Sequence, residues 1–295
     1  GMLDRFADQP AVRDVLASAG AALGEDLGAL IAGGPAEQLN LTVNTQPAML
    51  AADVAIYRAW LAAGGVTPAV MAGHSLGEYT ALTAAQAVPL EAALKLVRFR
   101  AQAMQEAVPA GSGGMAAILG LSDEQVAQAC AEAAQGEVVE AVNFNAPSQV
   151  VIAGHAAAVG RACEAAKRRG AKRALPLPVS APFHCSLLAP AAQRLRERLR
   201  GEPIGSPQVA VINNIDVATE SEPDRIRDAL ARQAAGPVRW AEIIRRMAAE
   251  GVTHVVECGP GRVLAGLTRR IAPDLESLAL TDPATIDEAL ARLRG

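Results

Sequence analysis

The chain is poor in aromatics, poor in cysteine and without a long apolar run. Aromatic residues are 3% of 295, too few for a surface on which unpaired bases stack. An excess of one charge is also missing. Lys and Arg number 27 against 31 Asp and Glu, a net charge of −4, whereas a general nucleic-acid binder is basic. No nucleic-acid partner is expected. The four cysteines, Cys130, Cys163, Cys185 and Cys258, include no C-x-x-C pair, which removes a zinc ribbon or a dithiol redox motif. In a chain of this size they do not make a disulfide framework. They read as reduced thiols of a cytoplasmic protein. No stretch of about 18 uncharged apolar residues exists, so no membrane span is expected. Asp4, Arg5 and Asp8 leave no apolar core for a signal peptide.

What is present is a globular balance, 51% apolar and 20% charged. At roughly 100–200 residues per domain, the length suits one large domain or one domain carrying an insertion. The spacing predicts a helix from near Pro47 to Trp60, stopped by Gly64-Gly65. Pro68–Ala72 reads as a buried strand and Glu78–Ala87 as a helix. A longer helix runs over Leu90–Val108, with Leu90, Leu94, Val97, Ala101, Met104 and Val108 forming one apolar stripe.

After the hinge-like Gly111–Gly114 the pattern changes. Strands are expected at Met115–Leu121, Val138–Phe144, Gln149–Ala153 and Lys172–Leu177, with helices at Ser122–Ala134 and His155–Arg169. Ser122 fits an N-cap with a capping box. The order β-α-β-β-α-β is ferredoxin-like. From Ala189 onward strands and helices alternate again, which implies a mainly parallel sheet covered on both faces. The expected fold is therefore α/β: a hydrolase-like domain of residues 1–112 and 181–295, with a small ferredoxin-like insertion at 113–180.

The sharpest motif is Gly73-His74-Ser75-Leu76-Gly77, which fits the G-x-S-x-G nucleophile elbow between a strand and a helix. The turn is so sharp that the residues flanking the serine must be small. Its hydroxyl is exposed at a helix N-terminus, where the Leu76 N–H is an oxyanion donor. A serine nucleophile needs a base. His74 adjoins the serine and points away from it. His155 follows a strand and reads as a cap or packing residue, and His254 opens an apolar strand. His184 lies in a loop returning between the two domains, where catalytic groups concentrate. The sequence favours His184 over His254 without excluding the latter. Gly259-Pro260-Gly261 before a helix suggests a phosphate site, but it lacks a Walker lysine and reads as a structural turn.

Five stretches together resemble the malonyl-CoA:acyl carrier protein transacylases of type II fatty acid synthesis. They are GHSLGEY (73–79), VRFRAQAMQEAVP (97–109), VNFNAPSQVVIAGH (142–155), PFHC (182–185) and ECGPGRVLAGL (257–267). The resemblance runs from about Met2 to Leu280 and implies the same hydrolase-like domain with a ferredoxin-like insertion. By position, it implies that Ser75 accepts the acyl group. His184 is then general base toward the serine and general acid toward the departing thiol. Arg100 is the arginine that pairs with the malonyl carboxylate, a task suited to its two-pronged guanidinium. Periodicity does not select Arg100: at about 100° per residue, Arg98 and Arg100 lie roughly 80° either side of the apolar stripe. Gln233 is implied to lie beside the catalytic histidine and to orient its ring through a main-chain carbonyl, so no triad aspartate is needed. Asp123, Asp216 and Asp224 read as solvated. Asn143 and Asn145 either line the cleft or form one solvated strand face.

The implied reaction is ping-pong, with malonyl-CoA and acyl carrier protein as partners and no metal or redox cofactor. The family's carrier is acidic, which makes two basic clusters candidate docking sites: Lys167, Arg168, Arg169, Lys172 and Arg173, and Arg194, Arg196, Arg198 and Arg200. Solvated helix ends explain both equally well. The chain is expected to act as a monomer. Family members begin with an apolar strand and a GQGSQ-type loop that supplies a second oxyanion donor, and this chain starts just after that point. The expectation is lower activity and stability than with that segment restored. The alternatives are a serine esterase or thioesterase, a malonyl transferase of a malonate decarboxylase or polyketide system, and a non-catalytic module that docks carrier protein.

Overall fold

A computed structural model describes residues 1–294. Strands β1 (Val70–Ala72), β2 (Gly113–Leu119), β3 (Val139–Ala146), β4 (Gln149–His155), β5 (Arg173–Pro176), β6 (Ala210–Ile212), β7 (His254–Cys258) and β8 (Glu276–Leu280) form three sheets. β1 pairs with β6 and β7 with β8, all parallel. The parallel part of the α/β fold is thus two strand pairs rather than one continuous sheet. β8 and the helix Pro283–Arg294 complete the alternation beyond the last element legible in the sequence.

The helices around these pairs bury one apolar cluster. Its centre is the helix Thr42–Ala62, buried on nearly every side. This helix begins before Pro47, not at it. The first N–H groups of a helix have no partner inside it, and Pro47 near that end removes one further bond while its fixed φ suits the turn. In the helix Leu90–Glu106 the stripe Leu90, Leu94, Val97, Ala101 and Met104 is buried as the spacing predicts. Ala93, Leu96, Arg100 and Ala103 are buried too. This helix is packed over a wider arc than one stripe, and that second flank carries Arg100 inward.

Residues 113–176 form an antiparallel sheet in the order β3-β4-β2-β5, the ferredoxin-like arrangement. Period-2 alternation covers both faces. Ala116 and Ile118 of β2 and Val150 and Ile152 of β4 pack on the helices Asp123–Ala134 and Ala156–Arg168. Met115, Val151 and Ala153 face the opposite way, against Met104, Cys185 and Leu188. Ser122 makes the capping box its sequence promises. Gly113 and Gly114 belong to β2 and not to a hinge, because the chain needs a close approach there: a Cβ on Gly113 would lie 2.5 Å from the Pro182 ring.

β3 also pairs outward. Phe144 N–H donates to Val238 C=O (2.9 Å) and Val238 N–H to Val142 C=O (2.8 Å). That bridge fastens the edge strand of the small sheet to the segment leading into the helix Trp240–Ala249.

Candidate active site

Ser75 sits between β1 and the helix Leu76–Ala84 with φ 52° and ψ −107°, a conformation that is strained in a residue with a Cβ. Gly73 makes it possible: a Cβ there would lie 1.9 Å from the Gly77 carbonyl carbon. Gly77 differs from expectation, since a Cβ on it meets nothing within 4 Å. One of the two elbow glycines is required by space. No acceptor is found for the Leu76 N–H among the described residues, so it remains free at the helix N-terminus.

Three sequence-selected side chains converge on this turn. Ser75 Oγ lies 2.7 Å from His184 Nε2, and Arg100 Nη2 donates to the same Oγ at 3.1 Å. His184 Nδ1 lies 2.9 Å from the Gln233 main-chain carbonyl. A carbonyl can only accept, so Nδ1 carries the ring proton and Nε2 is left to accept from the serine. Burial, and then the Arg100 charge, push the His184 pKa down to about 3. The ring is therefore a neutral acceptor.

Arg100 is 1% exposed. Its Nη1 donates to Gln46 Oε1 (2.7 Å) and its Nη2 to Gln233 Oε1 (2.9 Å), and its guanidinium carbon lies 5.3 Å from the centre of the Tyr79 ring. Gln233, fully buried, donates from Nε2 to the Ser75 carbonyl and to Glu78 Oε2, both at 2.9 Å. Glu78 is the nearest carboxylate of this network, and burial pushes its pKa up to about 7. The guanidinium thus rests mainly on neutral oxygens. A buried cation in that position is costly until an anion joins it.

Sequence reasoning missed Gln46, Glu78 and Asn214. Glu78 directly follows the elbow motif, but nothing in its spacing shows that it turns inward. Gln46 precedes an apolar stretch, Asn214 comes after one, and neither carries a motif of its own. His74 is half-buried, bonds Asn145 Oδ1 (2.8 Å) and tilts against Trp240. Asn145 therefore touches the elbow from the small sheet instead of facing solvent, and Asn143 joins the backbone bridge to Val238. His155 Nδ1 accepts from the Val138 N–H (2.9 Å). His254 pairs with Glu276 (3.2 Å) and takes no part in the Ser75 cluster. Arg98 pairs with Glu25. The helix after Gly259-Pro260-Gly261 has its first N–H groups occupied by Glu257, which accepts from Leu264 (3.2 Å) and Ala265 (2.7 Å). Asp216 bonds Arg232 and does not approach His184.

Among the described residues no three His, Cys, Asp or Glu side chains gather as a metal site. No single helix there is long and apolar enough to cross a membrane. In the first basic cluster Arg168 and Arg169 share Glu132, and Lys167 pairs with Glu164. In the second, Arg194, Arg196 and Arg198 pair with Glu106, Asp228 and Glu202.

The family model described as acyl transferase domain matches residues 2–277. The malonyl CoA-acyl carrier protein transacylase of Escherichia coli K12 is 55% identical over 291 residues, 98% of this chain and 94% of that protein. The crystal structure of an acyl-carrier-protein S-malonyltransferase from Burkholderia pseudomallei 1710b superposes with a TM-score of 0.97 at 64% identity, covering 99% of this chain and 95% of that one. A further structure, a type II PKS acyl-carrier protein in complex with its malonyl-transacylase, has a TM-score of 0.97 at 50% identity over 99% and 95% of the two chains. With likeness at this level running from end to end, the chain belongs to the malonyl CoA-acyl carrier protein transacylase family.

Proposed function

We propose that this protein transfers the malonyl group from malonyl-CoA to the phosphopantetheine thiol of acyl carrier protein through a malonyl ester on Ser75, feeding fatty acid synthesis. The observation that carries the reading is the convergence on one oxygen: Ser75 Oγ has the neutral His184 ring at 2.7 Å and the buried Arg100 guanidinium at 3.1 Å.

In the first half-reaction Oγ attacks the thioester carbonyl carbon while its proton passes to His184 Nε2. The carbonyl oxygen becomes an oxyanion and takes the Leu76 N–H. The intermediate collapses, the C–S bond breaks, and the CoA sulfur leaves with the proton from Nε2. In the second half the carrier's thiol gives its proton to Nε2, attacks the ester, and Ser75 leaves with that proton. Gln233 holds the ring through its carbonyl in both halves. Arg100 binds the free malonyl carboxylate, which is the anion that its neutral partners do not provide.

The carrier's docking site is proposed at Lys167, Arg168, Arg169, Lys172 and Arg173. Lys167 and Arg168 are exposed, and among the described residues no ion pair ties Lys172 or Arg173. The chain is further proposed to divide at 113 and 180, to act as a monomer and to work in the cytoplasm. The relative seen with a type II PKS carrier favours a second reading in which the acceptor belongs to a polyketide system. Incubation with malonyl-CoA and each purified holo-carrier tests both readings. Malonyl-carrier as product is expected, and free malonate in its place would return the chain to the thioesterases.

A further inference from the structure

The elbow's strain must be held by something, and its own turn supplies little. Besides the turn bonds Gly77 N–H to His74 C=O (2.9 Å) and Glu78 N–H to Ser75 C=O (3.1 Å), the backbone around Ser75 is tied by two side chains: Gln233, which donates to the Ser75 C=O alone, and Asn214, which reaches both sides of the serine. Asn214, fully buried just beyond β6, accepts from the Ser75 N–H at Oδ1 (2.7 Å) and donates from Nδ2 to the Gly73 C=O (2.7 Å). One planar amide thus spans the turn on both sides of the nucleophile. Asn214 is itself fixed: its N–H donates to Glu78 Oε2 (2.9 Å), the oxygen that also takes Gln233 Nε2.

We propose that Asn214 is the positioning residue of the nucleophile, holding Ser75 in its left-handed conformation through both faces of the elbow while Glu78 anchors Asn214. The inference rests on the transacylase reading. Two consequences follow from the geometry. The Ser75 N–H is committed to Asn214, so the oxyanion takes the Leu76 N–H alone from this turn. The chain from Glu78 through Gln233 also ties the elbow to the residue whose carbonyl orients His184. Serine and base therefore share one frame.

A structural residue and a positioning residue differ in what their loss changes. Asn214→Ala leaves a buried donor and a buried acceptor unpaired, and Ser75 relaxes away from His184. Misplacement of a reacting atom by about 1 Å costs about a hundredfold in rate. Arg100 and its partners stay in place, so binding of malonyl-CoA persists. Asn214→Asp keeps the acceptor for Ser75 and places a carboxylate oxygen against the Gly73 carbonyl.

The test is the rate of malonyl-enzyme formation in a single turnover, followed by intact mass over a range of malonyl-CoA concentrations, with melting curves alongside. Wild type, Asn214→Ala, Asn214→Asp and Glu78→Gln are compared. The expected result is a fall of about a hundredfold in the maximal rate for both Asn214 variants, the half-saturating concentration staying within about threefold, and an intermediate fall for Glu78→Gln. Should Asn214→Ala fail to fold, the isosteric Asn214→Asp alone decides. A maximal rate near wild type in a folded Asn214 variant, or a loss confined to half-saturation, overturns the proposal. Absence of adduct on the wild type would instead overturn the transacylase reading and the inference with it.

Discussion

The imidazole of His184 is held from behind by the main chain of Gln233, Nδ1 lying 2.9 Å from the carbonyl oxygen. A carboxylate in that place would draw the ring toward the charged form. The carbonyl fixes the tautomer and raises the pKa by less than burial and the Arg100 charge lower it.

The first prediction concerns that ring. With its pKa near 3, His184 stays neutral from pH 5 to 8 in the free protein. The proton resonances of the ring, assigned by comparison with His184→Ala, are expected to show no inflection in that window. An anion on Arg100 offsets the second cause of the shift, so malonyl-CoA bound to Ser75→Ala should move the inflection upward. An inflection between pH 6 and 7 in the free protein would contradict the account.

Arg100 carries the choice of acyl group. Truncating one partner of a buried charge pair costs about 2–5 kcal/mol, or roughly 30-fold or more in rate constant. Arg100→Ala should lower kcat/KM for malonyl-CoA by at least that factor and for acetyl-CoA by much less. Arg100→Lys should not restore it, since an ammonium cannot bond Gln46, Gln233 and a carboxylate in one plane. Equal losses on both substrates would remove Arg100 from selectivity.

The two elbow glycines should behave differently. Gly73→Ala forces a Cβ into the Gly77 backbone at 1.9 Å and is expected to abolish acyl-enzyme formation and to lower the melting temperature. Gly77→Ala meets open space and should fold with wild-type stability. Comparable melting losses in the two variants would show that the turn is not packed as described.

Asp53 sets a pH-dependent stability. Its Oδ1 has no partner, its Oδ2 takes a long bond from Thr80 (3.4 Å), and burial followed by nearby Glu257 pushes its pKa up to about 8. A carboxyl whose folded pKa exceeds its unfolded one stabilises fully below about pH 4, and that contribution is lost as pH rises to about 8. Asp53→Asn lacks this loss. It should melt a few degrees above wild type at pH 8, each kcal/mol being worth about 2–4 °C, with the gap closing toward pH 4.5. A gap independent of pH would contradict the assignment.

Much of this site is legible in the sequence because its signals are local. The elbow announces itself in five consecutive residues, and the capping box at Ser122 and the alternation of β4 place the small sheet. Arg100 is not legible from periodicity: the helix Leu90–Glu106 is buried on two flanks, and an amphipathic stripe marks only one. Its role came through resemblance, as did the Gln233 carbonyl, since any residue has a carbonyl. Asn214 and Glu78 were invisible because their function is to meet each other across 136 residues. For Asn145 alternation leaves a cleft position and a solvated face both open, and only the bridge of β3 to Val238 and the bond to His74 place it against the elbow.

The most direct test of the central claim is the intact mass of the protein after brief exposure to malonyl-CoA, beside Ser75→Ala. The account predicts one malonyl adduct on the wild type, discharged by holo-carrier protein, and none on the variant. An adduct on Ser75→Ala at the wild-type level, or none on the wild type, would contradict it.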